Sequence, residues 1–191
     1  MKIVRFFFLL GMMILVSNFA HLAYADKFSD AIETFKRSEV VKPFFKNAYG
    51  YAVFPTIGKG GIGIGGAYGK GQVYRGGEVT GTTKLFKGTI GFQLGGQAFS
   101  EIIFFQDKRA YNDFTSGEFE FDAAASAVAI TAGAQAKAGT EGASASAGAG
   151  GPGAQAETTY RKGMIVFVHT KGGLMYEAAI GGQKFSFKPK N

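Results

Sequence analysis

The amino-acid sequence predicts an α+β fold that is mainly β, in which N-terminal helices pack on a twisted antiparallel sheet with a barrel-like or sandwich-like curl. Three observations lead to this prediction. Apolar residues recur at helical spacing between Asp26 and Lys46, and from Tyr49 onward the apolar period shortens from about 3.6 residues to about 2. Glycine-rich turns separate the later strand-like segments, which is typical of short antiparallel strands.

The first 25 residues have the three parts of a secretory signal peptide. Lys2 and Arg5 form a basic start, Phe6 to Val16 is an apolar run, and Ala23-Tyr24-Ala25 places small residues at a cleavage site. The alternative is a retained membrane helix, but this run is shorter than the roughly 20 residues that span a bilayer. We therefore expect residues 1–25 to be removed and the protein to be exported, either to the periplasm or outside the cell.

Residues 26–191 are predicted to form one domain without cysteine chemistry. The chain has no cysteine, which excludes disulfides, Cys-ligated metals, a thiol nucleophile and a lipid-modified cysteine anchor. Loss of Lys2 and Arg5 with the signal peptide would lower the net charge from +7 to +5. This modest excess favours anionic lipid headgroups or acidic polymers as partners, and not nucleic acid, whose binding needs a dense basic stripe.

The segment from Asp26 to Lys46 is predicted to be helical. Phe28, Ala31, Ile32 and Phe35 follow the i, i+3, i+4, i+7 rule, with charged residues on the other sides of the wheel. Pro43 cannot lie deep inside a helix without removing a hydrogen bond, so a second short helix is expected to begin near it.

The next segments are predicted to be strands with unusual glycine faces. Tyr51 to Pro55 alternates as a first strand, and glycines then alternate with isoleucines from Gly61 to Gly65. Residues Ile90 to Gly95 repeat the arrangement. Because glycine costs backbone entropy in a strand, such a face implies that another backbone or a flat surface packs directly on it.

The middle of the chain is predicted to hold two strands, a short helix and a small-residue strand. Gln97 to Phe105 is mostly apolar, which suggests burial on both faces, and Asp107 to Phe114 reads as the helix. Glu118 to Phe121 alternates again, and Ala123 to Ala136 contains mainly small residues.

The last third combines a low-complexity tract with closing strands. The Gly/Ala/Ser-rich stretch at about 133–153, and Gly139 to Gly153 in particular, is expected to be a mobile loop. Three strands are then predicted, at Gly163 to Thr170, Leu174 to Ala179 and Lys184 to Lys188.

The sequence offers little support for a nucleotide site. Gly58 to Gly63 matches the G-x-G-x-x-G pattern of dinucleotide-binding proteins. That pattern requires a helix after the glycines, whereas here the Ile-Gly alternation continues into a strand. We expect no cofactor.

Catalysis and metal binding have weak signals as well. His169 is alone in residues 26–191, and the G-x-S-x-G pattern of serine hydrolases is absent. Glu118, Glu120 and Asp122 share one strand face and could bind calcium loosely, but a solvated acidic sheet edge explains them equally well. We expect no catalytic residues and no metal, and therefore not an enzyme.

The candidate binding site lies in the predicted N-terminal helices, where cations alternate with aromatic residues. Cations beside apolar anchors are what an interfacial membrane contact requires. Each cation near an anionic membrane surface contributes about 1 kcal/mol. The alternative is that the aromatic residues simply dock the helices on the sheet. The predicted lipid-binding residues are Lys36, Arg37, Lys42, Lys46, Phe44 and Phe45.

Several segments resemble the SYLF domain family, and they occur in the family's order. They are Tyr49 to Pro55, Gly60 to Gly69, Ile90 to Gln97, Phe99 to Phe105 and Tyr160 to Gly163. The resemblance implies a lipid-binding module. Eukaryotic members bind phosphoinositides and in some cases actin filaments, whereas bacterial members are exported single domains, and no catalytic residues are known in the family.

The likeness extends from Asp26 to Phe187, with two departures. The tract at Gly133 to Gly153 is longer and lower in complexity than is typical, and Gly172 to Ala179 is only loosely similar. Because a periplasm has neither actin nor abundant phosphoinositide, the resemblance points to generic anionic phospholipid at the cell envelope. Two alternatives remain open: a structural or stress-related envelope protein that binds a protein partner through its glycine-rich strands, and a hydrolase or metal enzyme.

Overall fold

The computed structural model of the chain is mainly β and describes residues 27–91, 97–122, 125, 127–130, 159–170 and 180–190. Predictions for the remaining residues, including the signal peptide, the Gly/Ala/Ser tract and the strand at 174–179, lie outside the described part. The helices are α1 (residues 27–36), α2 (Lys42–Asn47) and α3 (Lys108–Phe114). The strands are β1 (Gly50–Arg75), β2 (Glu78–Gly91), β3 (Gln97–Phe105), β4 (Glu118–Glu120), β5 (Val128–Ile130), β6 (Met164–Thr170) and β7 (Lys184–Pro189).

The strands form one curled sheet with the order β4-β7-β2-β1-β3-β6-β5. All strand pairs are antiparallel except β5 with β6, which is parallel. The first half of β1 pairs with β3 and the second half pairs with β2. This single long strand therefore joins the two sides of the sheet. Within the described ranges no helix is both long enough and apolar enough to cross a membrane.

β1 folds back on itself because glycines on its second half face side chains on its first half. A Cβ added at Gly71 would lie 2.7 Å from the Phe54 ring, and one added at Gly69 would lie 2.7 Å from Ile57. Both pairs are centred on residues 62–63, so the strand reverses its direction there. The two halves can approach this closely only where one of them carries no side chain.

The reversal of β1 divides the sheet into two layers that face each other. Layer A contains the first half of β1 with β3, β6 and β5, and layer B contains the second half of β1 with β2, β7 and β4. Phe54 of layer A lies 5.7 Å from Phe185 of layer B, measured between ring centroids. Both belong to the inner core, which also receives Ala110, Tyr111 and Phe114 of α3. Burial between the layers is thus the main apolar contribution to this fold.

A second apolar cluster lies on the outer face of the sheet; it covers layer A and extends to Tyr74 at the end of β1 in layer B. Val53, Ile102 and Phe104 alternate with the inner-core residues along β1 and β3, so their side chains point to the other face. Phe28 and Phe35 of α1 are buried in the same cluster.

Several predicted elements are confirmed by the structure. The strand at Gln97 to Phe105 has the predicted bounds, and Ile102 to Phe105 are fully buried on alternating faces. Asp107 caps α3, since its side chain accepts a hydrogen bond from the N–H of Ala110. The second short helix, α2, begins one residue before Pro43.

The prediction that the first strand ends at Pro55 is wrong. β1 continues to Arg75, and Pro55 lies at an irregularity of the β1–β3 ladder between Phe54 and Ile57. A bulged position tolerates a residue that has no N–H to donate. The turn at Gly76 and Gly77, which joins β1 to β2 with positive φ angles at both residues, was not predicted either.

The reversal of β1 makes Gly50→Ala strongly destabilising. The added Cβ would lie 2.5 Å from the carbonyl oxygen of Tyr74, and a backbone atom cannot move aside as a side chain can. Overpacking of this kind costs about 1–3 kcal/mol, which urea unfolding would show as a lower midpoint. Gly58→Ala is the control, because its Cβ would meet nothing within 4 Å. Equal midpoints for the two variants would contradict the described approach of the two halves of β1.

Candidate functional site

The four predicted lipid-contacting cations lie on exposed positions of α1, α2 and the turn between them. Lys36 is on α1, Arg37 follows it, and Lys42 and Lys46 are four residues apart on α2 and therefore share one face. Pro43 is in the first turn of α2, where a missing N–H removes no helical hydrogen bond. The local sequence thus keeps the helix short and its cations in solvent.

The two predicted aromatic anchors are half-buried, and their rings contact the outer side of layer A. The Phe44 ring centroid lies 5.2 Å from that of Phe167 and 5.7 Å from that of Phe104. The Phe45 centroid lies 4.9 Å from that of Phe104 and 5.3 Å from that of Tyr51. These contacts favour the alternative in which both rings dock the helix, because a ring held in such a cluster is not free to enter a membrane.

Two of the four cations are partly neutralised by acidic residues on the same segment. Lys36 forms an ion pair with Glu33 at 3.0 Å, and Lys42 forms one with Glu39 at 3.3 Å. Exposed pairs of this kind are weak, so an anionic surface can compete with them. Arg37 and Lys46 have no acidic partner in the described part of the chain and are available without such competition.

A cavity of about 470 Å³ lies beside α3, β4 and β6. Its apolar wall includes β6 side chains, and charged residues surround it. Arg109 pairs with Asp113 at 3.0 Å, and Lys162 pairs with Asp122. Because these charges neutralise one another within the wall, the cavity offers a ligand little net charge.

His169, the residue considered for catalysis, lies in the β3–β6 ladder. His169 on β6 lies opposite Ser100 on β3, which sets a hydroxyl and an imidazole on neighbouring strands. The Ser100 hydroxyl, however, donates a hydrogen bond of 2.8 Å to the carbonyl oxygen of Pro55 and is buried. That bond fixes the hydroxyl in a structural role at the β1 irregularity.

Two of the three acidic residues considered for calcium form ion pairs with lysines. Glu120 pairs with Lys184 at 3.5 Å, and Asp122 pairs with Lys162. Among the described residues, no three His, Cys, Asp or Glu side chains come together as a metal site would require.

A buried carboxyl inside the curled sheet was not anticipated. Glu101 of β3 is fully buried and accepts a hydrogen bond of 3.1 Å from the amide of Gln183. Burial raises the pKa of Glu101 from 4.5 to about 8, while the bond from Gln183 and the charge of Lys87 act in the opposite direction. A single acid in a run predicted to be buried on both faces was the signal that could have identified it.

The protonated form of Glu101 also fits its neighbour better than the ionised form. Glu101 Oε1 and Gln183 Oε1 have no hydrogen-bond partner within the described residues. A neutral carboxyl carries one O–H donor, and Gln183 Oε1 is an unused acceptor on the side chain that Glu101 already contacts. Protonation therefore supplies the donor that this buried pair lacks.

No protein-family model matches the chain, and no curated protein matches it significantly.

The raised pKa of Glu101 makes stability depend on pH. Between about pH 4.5 and pH 8 the unfolded chain has released a proton that the folded protein still binds, so stability falls as pH rises and then levels off. Glu101→Gln keeps the shape and a donor but removes the titration. We expect this variant to gain stability over the unmodified protein progressively from pH 5 to pH 8, measured by urea unfolding. The control Glu118→Gln changes an exposed acid of β4. If the difference in unfolding free energy between Glu101→Gln and the unmodified protein did not vary with pH, a buried, titrating carboxyl would be contradicted.

Proposed function

We propose that this protein is an exported, non-enzymatic domain that binds anionic phospholipid at the cell envelope. The contact is electrostatic and is made by Lys36, Arg37, Lys42 and Lys46. The observation that carries the proposal is that Arg37 and Lys46 are exposed and have no acidic partner in the described part. The resemblance to SYLF domains agrees with lipid binding and belongs to the same proposal.

In this proposal the aromatic residues position the cations and do not enter the bilayer. The helices pack on the outer side of layer A, which the ring contacts of Phe44 and Phe45 support. The buried side chains of α1 in the same apolar cluster support it as well. A helix held in this way presents its cations at fixed positions, which lowers the entropic cost of binding a charged surface.

Charge reversal at Arg37 and Lys46 tests the contact. Each cation contributes about 1 kcal/mol at an anionic surface, so Arg37→Glu with Lys46→Glu should weaken binding to phosphatidylglycerol vesicles by at least about tenfold. Co-sedimentation at low and high salt measures this, and the unmodified protein should lose affinity as salt rises. The control variant Lys108→Glu with Lys190→Glu has the same net charge at two other exposed positions. If both variants weakened vesicle binding equally, the protein would be responding to net charge alone. If the unmodified protein did not bind the vesicles, the proposed function would be refuted.

Removal of the Phe44 ring tests the packing of the helices. Truncation of a fully buried phenylalanine costs about 3–5 kcal/mol, and for this half-buried ring we expect Phe44→Ala to cost about 2 kcal/mol in urea unfolding. Val40→Ala, in the exposed turn before α2, serves as control and should change little. An unfolding midpoint for Phe44→Ala equal to that of the control would mean that α2 does not stabilise the sheet.

A further inference from the structure

The outer side of layer B exposes an aromatic pair. Among the residues whose exposure the structure describes, three large apolar side chains are exposed, and two of them are Tyr68 at 49% and Phe86 at 57%. Tyr68 on β1 and Phe86 on β2 are directly opposite in the strand register. Their neighbours Ala67 and Leu85 are buried in the inner core, so the aromatic side chains point outward. Two adjacent exposed rings form a contiguous apolar patch, and such patches often mark interaction sites.

A lysine pair lies next to the aromatic pair on the same face. Lys70 and Lys84 are opposite each other in the register, two residues along their strands from Tyr68 and Phe86. Like charges directly opposite each other destabilise a sheet. Neither lysine has an acidic partner in the described part of the chain, so an external anion would relieve the repulsion.

The acidic side chains of this face lie at its far edge. Lys184 on β7 is opposite Phe86 and is neutralised by Glu120 on β4. Glu118 is opposite Ser186, which in turn is opposite Lys84, so two strand spacings of about 4.8 Å separate this acid from the lysine pair. The face is therefore cationic and aromatic on β1 and β2 and acidic only on β4.

We propose that Tyr68, Lys70, Lys84 and Phe86, together called the hairpin face, dock on an anionic phospholipid bilayer. The rings lie at the boundary between headgroups and acyl chains, and the lysines contact the phosphates. The inference rests on the proposed function, since it assumes anionic lipid as the ligand, and adds a second contact surface on β1 and β2.

The combination of side chains favours a bilayer over a soluble anion. A polyanion would satisfy the lysine pair but would leave both rings in water. A bilayer surface supplies phosphate and an apolar layer at adjacent depths, which matches cations beside exposed aromatic residues. Tyrosine suits such a boundary because its ring is apolar and its hydroxyl is polar.

The hairpin face and the helix cations are two separate surfaces. Tyr68 and Phe86 lie on β1 and β2, whereas the cations lie on α1, α2 and the turn between them. A tryptophan placed in each surface therefore reports the contact of that surface.

Tryptophan probes test this inference, because the chain contains no tryptophan. Phe86→Trp places a single indole on the hairpin face, and Val40→Trp places one in the turn between α1 and α2. Vesicles of phosphatidylglycerol are compared with vesicles of phosphatidylcholine at low salt. For Phe86→Trp we expect a blue shift of the fluorescence and quenching by lipids brominated on the acyl chains, with phosphatidylglycerol only.

Charge reversal at the lysine pair is the second test of the hairpin-face inference. Added to Phe86→Trp, Lys70→Glu with Lys84→Glu should weaken the fluorescence-detected affinity by at least about tenfold. The control Lys108→Glu with Lys190→Glu, in the same background, should weaken it less. Reversal at Arg37 and Lys46 should leave the response of Phe86→Trp in place.

The outcomes separate the two proposals. If the protein sediments with phosphatidylglycerol vesicles and Val40→Trp responds while Phe86→Trp does not, the hairpin-face inference is overturned and the proposed function stands. If Phe86→Trp responds and reversal of Arg37 and Lys46 has no effect on binding, the inference stands and the helix contact fails. If no variant binds vesicles, both are refuted.

Discussion

The close approach of the two halves of β1 is the contact on which the rest of the structure depends. Glycines at positions 69 and 71 let Ile57 and Phe54 pack directly against the backbone of the same strand. A strand that reverses in this way places its first half beside β3 and its second half beside β2, so two layers face each other. The apolar side chains between them, with those of α3, then form the inner core. A side chain at either glycine would separate the layers and reduce the apolar burial that offsets the conformational entropy of folding.

The same reversal decides which surfaces are available for binding. The outer side of layer A carries the apolar cluster that includes residues of α1, whereas the outer side of layer B exposes Tyr68 and Phe86. The cations near α2 and the lysine pair of the hairpin face are carried by different elements, the helices in one case and β1 with β2 in the other. Between the two layers, burial favours the neutral form of Glu101. An ionised carboxyl there would lose its hydration, and only the hydrogen bond from Gln183 and the charge of Lys87 would offset that loss.

Elements set by local patterns could be predicted from the sequence, and elements set by long-range contacts could not. β3 follows from a mostly apolar run, and α3, β6 and β7 were also predicted from the residues of their own segments. The continuation of β1 beyond Pro55 was missed because a proline normally ends a strand, and only the contacts with β2 and β3 maintain it there.

The candidate site shows the same division between features set by local patterns and features set by long-range contacts. The exposure of the helix cations follows from their helical positions, but the pairing of Lys70 with Lys84 needs the register that the unpredicted turn at Gly76 and Gly77 sets. The hydrogen bond from Gln183 to Glu101 joins residues 82 positions apart, which no local pattern encodes.

The free-energy contributions of these residues argue for weak and reversible membrane binding at either surface. Arg37 and Lys46 together contribute about 2 kcal/mol at an anionic surface, and Lys36 and Lys42 add less because Glu33 and Glu39 compete for them. The two lysines of the hairpin face also contribute about 2 kcal/mol, and covering two half-exposed rings adds roughly 1 kcal/mol each. Each sum is below the contribution of a single myristoyl chain, which itself gives only marginal membrane attachment. Stable attachment to a single membrane would therefore require several copies of the domain or a further contact, whereas one domain alone should exchange readily between the membrane and solution.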